Sequence, residues 1–246
     1  MATLFISDLH LDGTRPATTA LFLEFLETEA RRADALYILG DFFEAWIGDD
    51  DDDPHHACVT LALRRLTDAH VPAYFMHGNR DFLVGSGFAA TTGVTLLADP
   101  TVIELGGQAT LLMHGDTLCT DDLEYQKLRK LFRDPAWQQA FLAKPLAERR
   151  AFAAEARAES RSRTAAKADD IMDVNQAAVE TAMREHGVKR LIHGHTHRPA
   201  VHRFRSDGEA RERIVLGDWY EHPSCLIWNA SGGLLRDSRV PRGQIR

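Results

Sequence analysis

The chain has 246 residues, of which 44% are hydrophobic, and it carries a formal net charge of −7. This is the composition of an ordinary soluble globular protein, long enough to bury a full core in one large domain or two. Its three cysteines, Cys58, Cys119 and Cys225, share no CxxC spacing, which disfavours a disulfide framework or a thiolate zinc site. No apolar stretch approaches the roughly 20 residues of a membrane span, and Asp8 and His10 come too early for the core of a signal peptide. We therefore expect a protein that is cytosolic or that touches a membrane only from outside.

Short apolar runs alternate with amphipathic patterns along most of the chain. Five runs predict β-strands, at residues 5–7, 36–39, 73–76, 111–113 and 191–192. Apolar residues at helical spacing predict intervening helices around residues 16–26, 59–66 and 179–183. The alternation predicts an α/β fold with a mainly parallel sheet. Residues 214–216 and 225–228 predict two further strands, which we assign to a second sheet, whereas the tail from residue 231 is polar and uninformative.

Each of the five predicted strands is followed at once by residue types that bind metal ions or phosphate. The five segments read DLH from Asp8, GD from Gly40, HGNRD from His77, HGD from His114 and HGHTH from His193. Because residues beyond the carboxyl ends of parallel strands gather at one edge of a sheet, we expect their donors to meet there. Any one such residue is more often a helix cap or a surface group than a ligand, but five segments in one chain favour a metal site. The candidate ligands are Asp8, His10, Asp41, Asn79, His114, His195 and His197.

The donor set predicts two divalent cations and phosphoryl-transfer chemistry. Carboxylate, imidazole and amide donors without cysteine suit manganese, iron or zinc, and the pairing of carboxylate with amide oxygen favours two Mn²⁺ ions per chain. Two ions about 3.5 to 4 Å apart can hold the attacking and the leaving oxygen and activate a water molecule as the nucleophile. Asp41 is the natural bridging carboxylate. Because Asp8 and Asp41 offset only part of the charge of the two ions, the site would stay cationic and attract phosphate.

Residues 121–170 interrupt the alternation with a pattern that is helical throughout, which predicts two or three inserted helices. Between Lys127 and Lys167, eleven lysines and arginines outnumber four acidic residues, giving this segment a net charge of +7. Beside a metal site, such a basic segment indicates an anionic substrate. The apolar residues of the segment either pack the helices together or line a groove for an apolar chain. They are Leu128, Leu131, Phe132, Trp137, Phe141, Leu142, Leu146 and Phe152.

Four polar residues of this segment are predicted to share one helix face. Arg157, Ser160, Thr164 and Lys167 follow one another at steps of three or four residues, which places them along one line. A phosphate or a sugar could bind along that line. The alternative is an ordinary solvated helix face, which is common on surface helices.

The blocks DLH, GD, GNRD, HGD and GHTH, in this order over most of the chain, resemble the calcineurin-like metallophosphoesterase superfamily. The resemblance implies a sandwich of two β-sheets flanked by helices, with two metal ions at the strand ends. Carried over by position, the first ion would be held by Asp8, His10, Asp41 and His197. The second ion would be held by Asp41, Asn79, His114 and His195.

The GNRD block, the sequence GDFFEAWIGDD from Gly40 to Asp50 and the helical insert resemble, more narrowly, the UDP-2,3-diacylglucosamine diphosphatases of lipid A synthesis. That resemblance implies Mn²⁺-dependent hydrolysis of a UDP-linked diacylated glucosamine at the α-phosphorus, giving UMP and 2,3-diacylglucosamine 1-phosphate (lipid X). It also implies a cytoplasmic protein, bound peripherally to the anionic cytoplasmic leaflet of the inner membrane. We accordingly expect one domain over residues 1–246, with residues 121–170 as an inserted helical lid.

The same resemblance implies a set of functional residues. Those implied in catalysis are Asp41, Asn79, Arg80 and His195. Those implied in substrate binding are Asn79, Arg80, Asp122, Ser160, Thr164, Lys167 and His195, to which we add Tyr125 and Arg157 as candidates.

One departure from the superfamily pattern bears on the substrate. The third block of the superfamily usually reads GNH, whereas Arg80 follows Asn79 here. Arginine cannot donate a proton near neutral pH, but it can bind phosphate oxygens bidentately. A leaving group that needs no proton tolerates this replacement, so we expect a diphosphate rather than an alkyl phosphate substrate.

Two other functions stay open at this stage. Another dinuclear-metal phosphoesterase of the same fold would keep the metals and use the insert for a nucleotide or phosphodiester substrate. A non-catalytic scaffold would have lost ligands, and this chain keeps every one. Nucleic-acid binding is not expected, since aromatic and basic residues do not interleave outside the insert. The oligomeric state is left open.

Two groups of residues are interpreted as having no function of their own. We interpret the run from Asp49 to Asp53 as a solvated loop, because it lacks the glycine and the distal glutamate of a calcium-binding loop. We expect ordinary surface positions for His55, His56, His70, His186, His202 and His222.

Overall fold

Two β-sheets form the centre of the computed structural model, which describes residues 2–166, 173–240 and 244–245. The first sheet contains β1 (Thr3–Ile6), β2 (Ala35–Leu39), β3 (Ala73–Met76), β4 (Thr95–Leu97), β10 (Cys225–Asn229), β11 (Gly232–Arg236) and β12 (Gln244–Ile245). The second contains β5 (Thr101–Leu105), β6 (Gln108–Leu112), β7 (Arg190–His193), β8 (Ala200–Ser206) and β9 (Glu209–Val215). The strand orders are β12-β11-β10-β1-β2-β3-β4 and β5-β6-β7-β9-β8. Strands β1 to β4 are parallel to one another, as are β6, β7 and β9.

Helices connect most of the parallel strands. They are α1 (Pro16–Thr28), α2 (Pro54–Asp68), α3 (Ser86–Thr92), α4 (Leu123–Phe132), α5 (Pro135–Leu142), α6 (Leu146–Ala166) and α7 (Gln176–Glu185), with short 3₁₀ turns at Ala30–Arg32 and Asp116–Leu118. Asp53 caps α2 by accepting a hydrogen bond from the His55 amide, and Asn175 caps α7 in the same way. The three helices predicted between the strands are therefore confirmed as α1, α2 and α7.

The side chains of β1 alternate between two hydrophobic cores, as a strand covered on both faces requires. Leu4 and Ile6 belong to a buried cluster that includes residues of α1, α2 and α3. Phe5 belongs to a second cluster, shared with Ile192 and other residues of the second sheet. A third cluster joins Leu191 to α7. The layers are thus helices, sheet, sheet and helix, which confirms the predicted sandwich of two sheets flanked by helices.

The expected distribution of the strands was wrong in three respects. The five predicted strands do not lie in one mainly parallel sheet, because three belong to the first sheet and two to the second. Residues 225–228 form β10, which pairs antiparallel with β1 in the first sheet and not in the second. The tail that showed no pattern contains β11, whose Leu235 is buried and whose Gly233 lies opposite Trp228.

The insert consists of α4, α5 and α6. Asp134 caps α5 by accepting a hydrogen bond from the Trp137 amide at 2.9 Å. Aromatic rings hold the three helices together and contact the core: Phe132 stacks on Phe82 of the core at a centroid distance of 5.6 Å, and Phe141 packs against Phe152 at 5.2 Å. Much apolar surface on these helices nevertheless remains exposed, on Leu123, Leu128, Leu131, Leu142 and Phe152.

Arginine–aspartate pairs fasten the insert to the loop before α2. The Arg149 side chain is 2% exposed, and its guanidinium donates to Asp50 Oδ1 at 2.8 Å and Oδ2 at 2.5 Å. It also donates to the carbonyl oxygen of Ile47 at 2.7 Å. Arg150 pairs with Asp51 and Asp52. Because a buried guanidinium needs an ionic partner, these contacts fix where α6 begins.

The interpretation of residues 49–53 as a solvated loop agrees with the exposure of Asp49, Asp50 and Asp52, but the loop also makes structural contacts. Besides the pairs with α6, Asp49 accepts hydrogen bonds from the amides of Gly85 and Phe88 and so ties this loop to the start of α3. The surface assignment of His56 was wrong, since its ring is buried against Trp46 and its Nδ1 lies 3.1 Å from Asp51 Oδ2. The loop is a connector between the insert and the core.

Replacing Arg149 by methionine is expected to lower the free energy of unfolding by about 1.5–3 kcal/mol, because charge-assisted hydrogen bonds to a buried group are lost. Urea titration would measure this loss, and limited proteolysis would show faster cleavage within the insert. Arg184→Met is the matched control, since the Arg184 side chain is 57% exposed and pairs only with an exposed Asp207. Equal stability losses in the two variants would contradict the role given to Arg149.

Candidate metal centre

The ends of the five predicted strands meet at one place between the two sheets. Beyond β1 and β2, the amides of Asp8 and His10 donate to the carbonyl oxygens of Gly40 and Asp41. Across the sheets, the amide of His195 donates to Asp8 Oδ2 at 2.9 Å. The convergence expected from the sequence is thus present, although the donors come from two sheets.

The backbone at this place is strained. Asp8, His10, Asp41, His195 and His197 all have φ between +48° and +70°, a region that residues other than glycine seldom adopt. In the described part of the chain only two other such residues occur, His70 and Asp207. Left-handed backbone at non-glycine residues concentrates at functional sites, where surrounding contacts maintain it. The strain therefore marks this cluster as the functional centre.

One group of candidate ligands consists of Asp8, His10 and His197, whose ligand atoms lie within 4.8 Å of one another. His10 Nε2 is 3.1 Å from His197 Nε2, and His197 Nε2 is 3.3 Å from Asp8 Oδ1. Asp8 Oδ1 is fully buried and accepts no hydrogen bond. A buried anionic oxygen between two imidazole nitrogens fits a cation-binding position, because it otherwise lacks a partner.

A second group consists of Asp41, His114 and His195, again within 4.8 Å. Asn79 completes it, since its Oδ1 lies 3.1 Å from His114 Nε2. Asp41 faces both groups: Oδ1 is 3.6 Å from His114 Nε2, and Oδ2 is 3.8 Å from His10 Nε2. One carboxylate therefore stands between two ligand sets, as the sequence predicted for a bridging residue.

Close backbone approach makes this packing possible. A Cβ placed on Gly194 would lie 2.3 Å from both Asp8 Oδ2 and Ser7 Oγ, and one on Gly78 would lie 2.1 Å from the Asp41 amide. Neither position has room for a side chain. Glycine at both places lets the loops after β7 and β3 reach the ligands of the neighbouring strands.

Charges within the cluster shift several pKa values. Burial opposes protonation of His114, but Asp41, Asp116 and Asp8 outweigh it and raise the pKa of His114 to about 9. Burial, with His114 next to it, lowers the pKa of His195 to about 4. Burial raises the pKa of Asp8, but the neighbouring histidines lower it further, well below its usual range. The Asp8 carboxylate thus stays ionised and draws positive charge toward the cluster, which is what a cation site needs.

Side-chain carboxylates and a backbone carbonyl oxygen orient three of the histidines through their Nδ1 atoms. His10 Nδ1 lies 3.0 Å from Glu44 Oε2, and His114 Nδ1 lies 2.9 Å from the carbonyl oxygen of Leu39. A hydrogen on Nδ1 leaves Nε2 free to bind a cation and fixes the ring. His197 Nδ1 is 3.9 Å from Asp218 Oδ2. Neither Glu44 nor Asp218 was predicted, although Glu44 lies within the 40–50 segment that carried the family resemblance.

Asp81, the last residue of the GNRD block, holds two of these loops in place. Its buried carboxylate accepts hydrogen bonds from the amides of Phe42 and Gly78, each at 2.7 Å. Burial and the nearby charge of Asp41 raise the pKa of Asp81 to about 7. Asp81 therefore positions the segments around Asp41 and Asn79.

Two arginines predicted to bind substrate point donors toward the space under α6. Arg80 donates from Nη2 to Ser160 Oγ at 3.0 Å, and Arg157 donates from Nη1 to Asp12 Oδ2 at 3.2 Å. The Nε atoms of both arginines are buried without a hydrogen-bond partner. Buried N–H donors without partners are costly, so both are available to an anionic ligand.

Asp122 and Tyr125, also predicted to bind substrate, lie at the start of the insert, and the predicted His195 belongs to the second group. Tyr125 donates its hydroxyl hydrogen to Asp116 Oδ2 at 2.8 Å, and its ring lies 5.8 Å from that of His195. Asp122 caps α4 by accepting a hydrogen bond from the Tyr125 amide. Asp116 thereby holds α4, through Tyr125 and through Arg129 at 2.8 Å. The side chain of Thr164 and the whole of Lys167 lie outside the described residues.

The chain is similar to one protein family and to several proteins that carry the same name. The family model described as calcineurin-like phosphoesterase matches residues 1–199. A protein of Xanthomonas oryzae pv. oryzae named UDP-2,3-diacylglucosamine hydrolase is 55% identical over 239 residues, which cover 94% of this chain and 97% of that protein. A protein of the same name from Chromohalobacter salexigens is 58% identical over 219 residues, or 89% of each chain. A third, from Stenotrophomonas maltophilia, is 54% identical over 242 residues, or 96% of this chain and 98% of its own.

Removing the carboxylate behind His10 should weaken one cation position and leave the other nearly unchanged. Glu44→Ala is expected to reduce the affinity for one of two Mn²⁺ ions by about 10- to 100-fold, because His10 loses the partner that fixes its ring. Electron paramagnetic resonance titration of metal-free protein with Mn²⁺ would resolve the two affinities. Glu24→Ala, on the exposed face of α1, is the control. Equal weakening of both ions, or of neither, would show that Glu44 does not serve His10.

Proposed function

The chain belongs to the calcineurin-like phosphoesterase family, and on that premise we propose that it hydrolyses the diphosphate of UDP-2,3-diacylglucosamine. The names of its relatives at 54–58% identity support this substrate. We further propose that water attacks the α-phosphorus and that the products are UMP and 2,3-diacylglucosamine 1-phosphate. This reaction would place the enzyme in lipid A biosynthesis.

The observation that carries the proposal is the carboxylate of Asp41 standing between two complete ligand groups. The seven residues Asp8, His10, Asp41, Asn79, His114, His195 and His197 are all present at this centre. Two cations bound there would neutralise phosphate oxygens and lower the pKa of a water molecule. We propose Mn²⁺ for both, since carboxylate and amide oxygens accompany the imidazoles.

The chain's own residues would orient the substrate. Asp41 faces both ligand groups, and its Oδ1 accepts a hydrogen bond from the Arg80 amide at 2.8 Å. The Arg80 guanidinium in turn donates to Ser160 Oγ of α6 at 3.0 Å. The leaving group is a sugar phosphate, which needs no proton, so the constantly charged Arg80 suits it better than a proton donor would. Arg157 would bind the same phosphate with its unpartnered Nε.

The insert would bind the lipid part of the substrate, and we propose residues 121–170 as a lid over the centre. The partly exposed rings of Phe82 and Phe132, with the exposed ring of Phe152 on α6, provide apolar surface for it. Each methylene buried there contributes about 0.8 kcal/mol, so two acyl chains suffice for tight binding. The proposed polar contacts are Asn79, Arg80, Asp122, Tyr125, Arg157, Ser160, Thr164, Lys167 and His195.

We propose that the enzyme works at the cytoplasmic surface of the inner membrane. Among the described residues, the structure contains no helix with the length and apolarity needed to cross a bilayer. The basic insert, with its exposed leucines and Phe152, has the composition that binds peripherally to anionic leaflets. The substrate, a lipid, would be collected there.

A direct assay separates this function from that of another phosphoesterase of the same fold. With Mn²⁺, the protein is expected to hydrolyse the UDP-lipid far more efficiently than bis-p-nitrophenyl phosphate, and in ¹⁸O-labelled water the label is expected in UMP. Label in the lipid phosphate would reject attack at the α-phosphorus.

Asp41→Asn is expected to lower kcat by at least about a hundredfold, because the shared anionic ligand is lost. Unchanged turnover by this variant would reject the dinuclear centre, and faster turnover of the model diester by the unmodified protein would indicate a different substrate.

Arg80→His tests the diphosphate assignment. Histidine restores the residue common in the superfamily but removes the permanent charge and the bidentate geometry. We expect lower kcat/KM for the UDP-lipid and no gain. Arg184→His controls for the substitution itself. A gain in turnover of the diphosphate by Arg80→His would show that the leaving group benefits from a proton donor, contrary to this account.

A further inference from the structure

We propose that a depression beside Tyr220 binds the nucleoside half of the substrate. The depression has a volume of about 240 Å³ and is lined by Asp218, Tyr220, Glu221, His222 and Arg239. This inference rests on the proposed function, because it requires a nucleotide diphosphate as substrate. The ligand class is a pyrimidine nucleoside whose 5′-phosphate lies at the metal centre.

Tyr220 places the depression directly against the first ligand group. Its ring stacks on that of His10 at a centroid distance of 5.4 Å and lies 5.5 Å from that of His197. The Tyr220 side chain is nevertheless 48% exposed, more than any other aromatic residue among the described exposed hydrophobics. One side of the ring stacks on His10 and Arg15 lies over the ring, so the exposed remainder is what a ligand could contact while its charged end enters the centre.

The insert borders the centre in two places. Its Tyr125 lies beside His195 of the second group, and Arg157 of α6 donates to Asp12 Oδ2 at 3.2 Å. Arg15, which lies over the Tyr220 ring, interacts electrostatically with the same Asp12. A tetrahedral α-phosphorus carries its two substituents in different directions. If the lipid half follows the apolar surface of the insert, the depression beside the first group offers a second direction, which the nucleoside half would take.

The lining offers chemistry that suits a nucleoside. Glu221 and His222 are exposed and make no side-chain hydrogen bond within the described part of the chain, so Glu221 can accept both hydrogens of a ribose diol. Arg15 lies with its guanidinium carbon 4.6 Å from the centre of the Tyr220 ring and can face a base carbonyl oxygen.

The floor of the depression is rigid. Arg239 donates to Asp218 Oδ2 at 2.6 Å and to Asp237 Oδ2 at 2.8 Å, so its charge is already matched. Asp218 in turn faces His197. Arg239 therefore shapes the depression and does not attract free phosphate into it. The side chains left to recognise a ligand are Tyr220, Glu221 and His222.

Calorimetric titration of the Mn²⁺-loaded protein with UMP, ribose 5-phosphate and inorganic phosphate tests the assignment. UMP is expected to bind at least about tenfold more tightly than ribose 5-phosphate, since base–aromatic contacts contribute that much. Tyr220→Ala should remove most of this difference, and Glu221→Ala should weaken UMP and ribose 5-phosphate together by several-fold. Neither variant should change the affinity for phosphate. Tyr220→Phe should retain the preference, and Glu24→Ala should behave as the unmodified protein.

Several results would overturn the assignment. One is equal affinity for UMP and ribose 5-phosphate. Another is a Tyr220→Ala variant that binds phosphate as weakly as UMP and loses a Mn²⁺ ion, because the ring would then only support His10. Either result refutes the nucleoside site while leaving hydrolysis of the diphosphate intact. If the protein instead binds neither UMP nor phosphate and does not cleave the UDP-lipid, the proposed function itself fails and takes this inference with it.

Discussion

The carboxylate of Asp41, shared between two groups of ligands, is the interaction on which the rest of the structure depends. It can be shared only if loops from two different sheets meet within a few ångströms. Hydrogen bonds from the amides of His195 and Arg80 to Asp8 and Asp41 join those loops, and Gly78 and Gly194 leave room for them. The cost appears as left-handed backbone at five of the candidate ligands. Such strain persists only where surrounding contacts fix it, and here the two packed sheets provide them.

The insert is attached by ionic contacts in addition to the aromatic packing that it shares with the core. Few fully buried apolar side chains belong to it, and Phe141 is the one in the described part of the insert that joins the main core cluster. Its attachment also relies on ionic contacts: Arg149 and Arg150 with the aspartates of residues 50–52, and Arg129 with Asp116. Apolar surface on α4 to α6 therefore stays exposed, while the charged contacts fix the start of α6.

Much of the site, and less of the sheet arrangement, could be predicted from the sequence. The candidate ligands were identified because each stands within a few residues of the end of an apolar strand, so one local pattern marks both the strand and its donor. The sheet that contains residues 225–228 was assigned wrongly, since an apolar run looks the same whichever sheet it joins. Glu44 was missed because its partner His10 is 34 positions away, and the contacts of the loop at residues 49–53 were missed because Arg149 is 99 positions from Asp50. Contacts between segments far apart in the chain leave no periodic signal in either segment.

Whether two cations share one carboxylate is the claim tested most directly by electron paramagnetic resonance of the protein loaded with two equivalents of Mn²⁺. Ions about 3.5 to 4 Å apart, as in two-metal sites, are close enough for their spins to couple. The account predicts a spin-coupled spectrum that reverts to that of isolated Mn²⁺ when Asp41 is replaced by asparagine. A spectrum of isolated ions in the unmodified protein, at full occupancy, would contradict it.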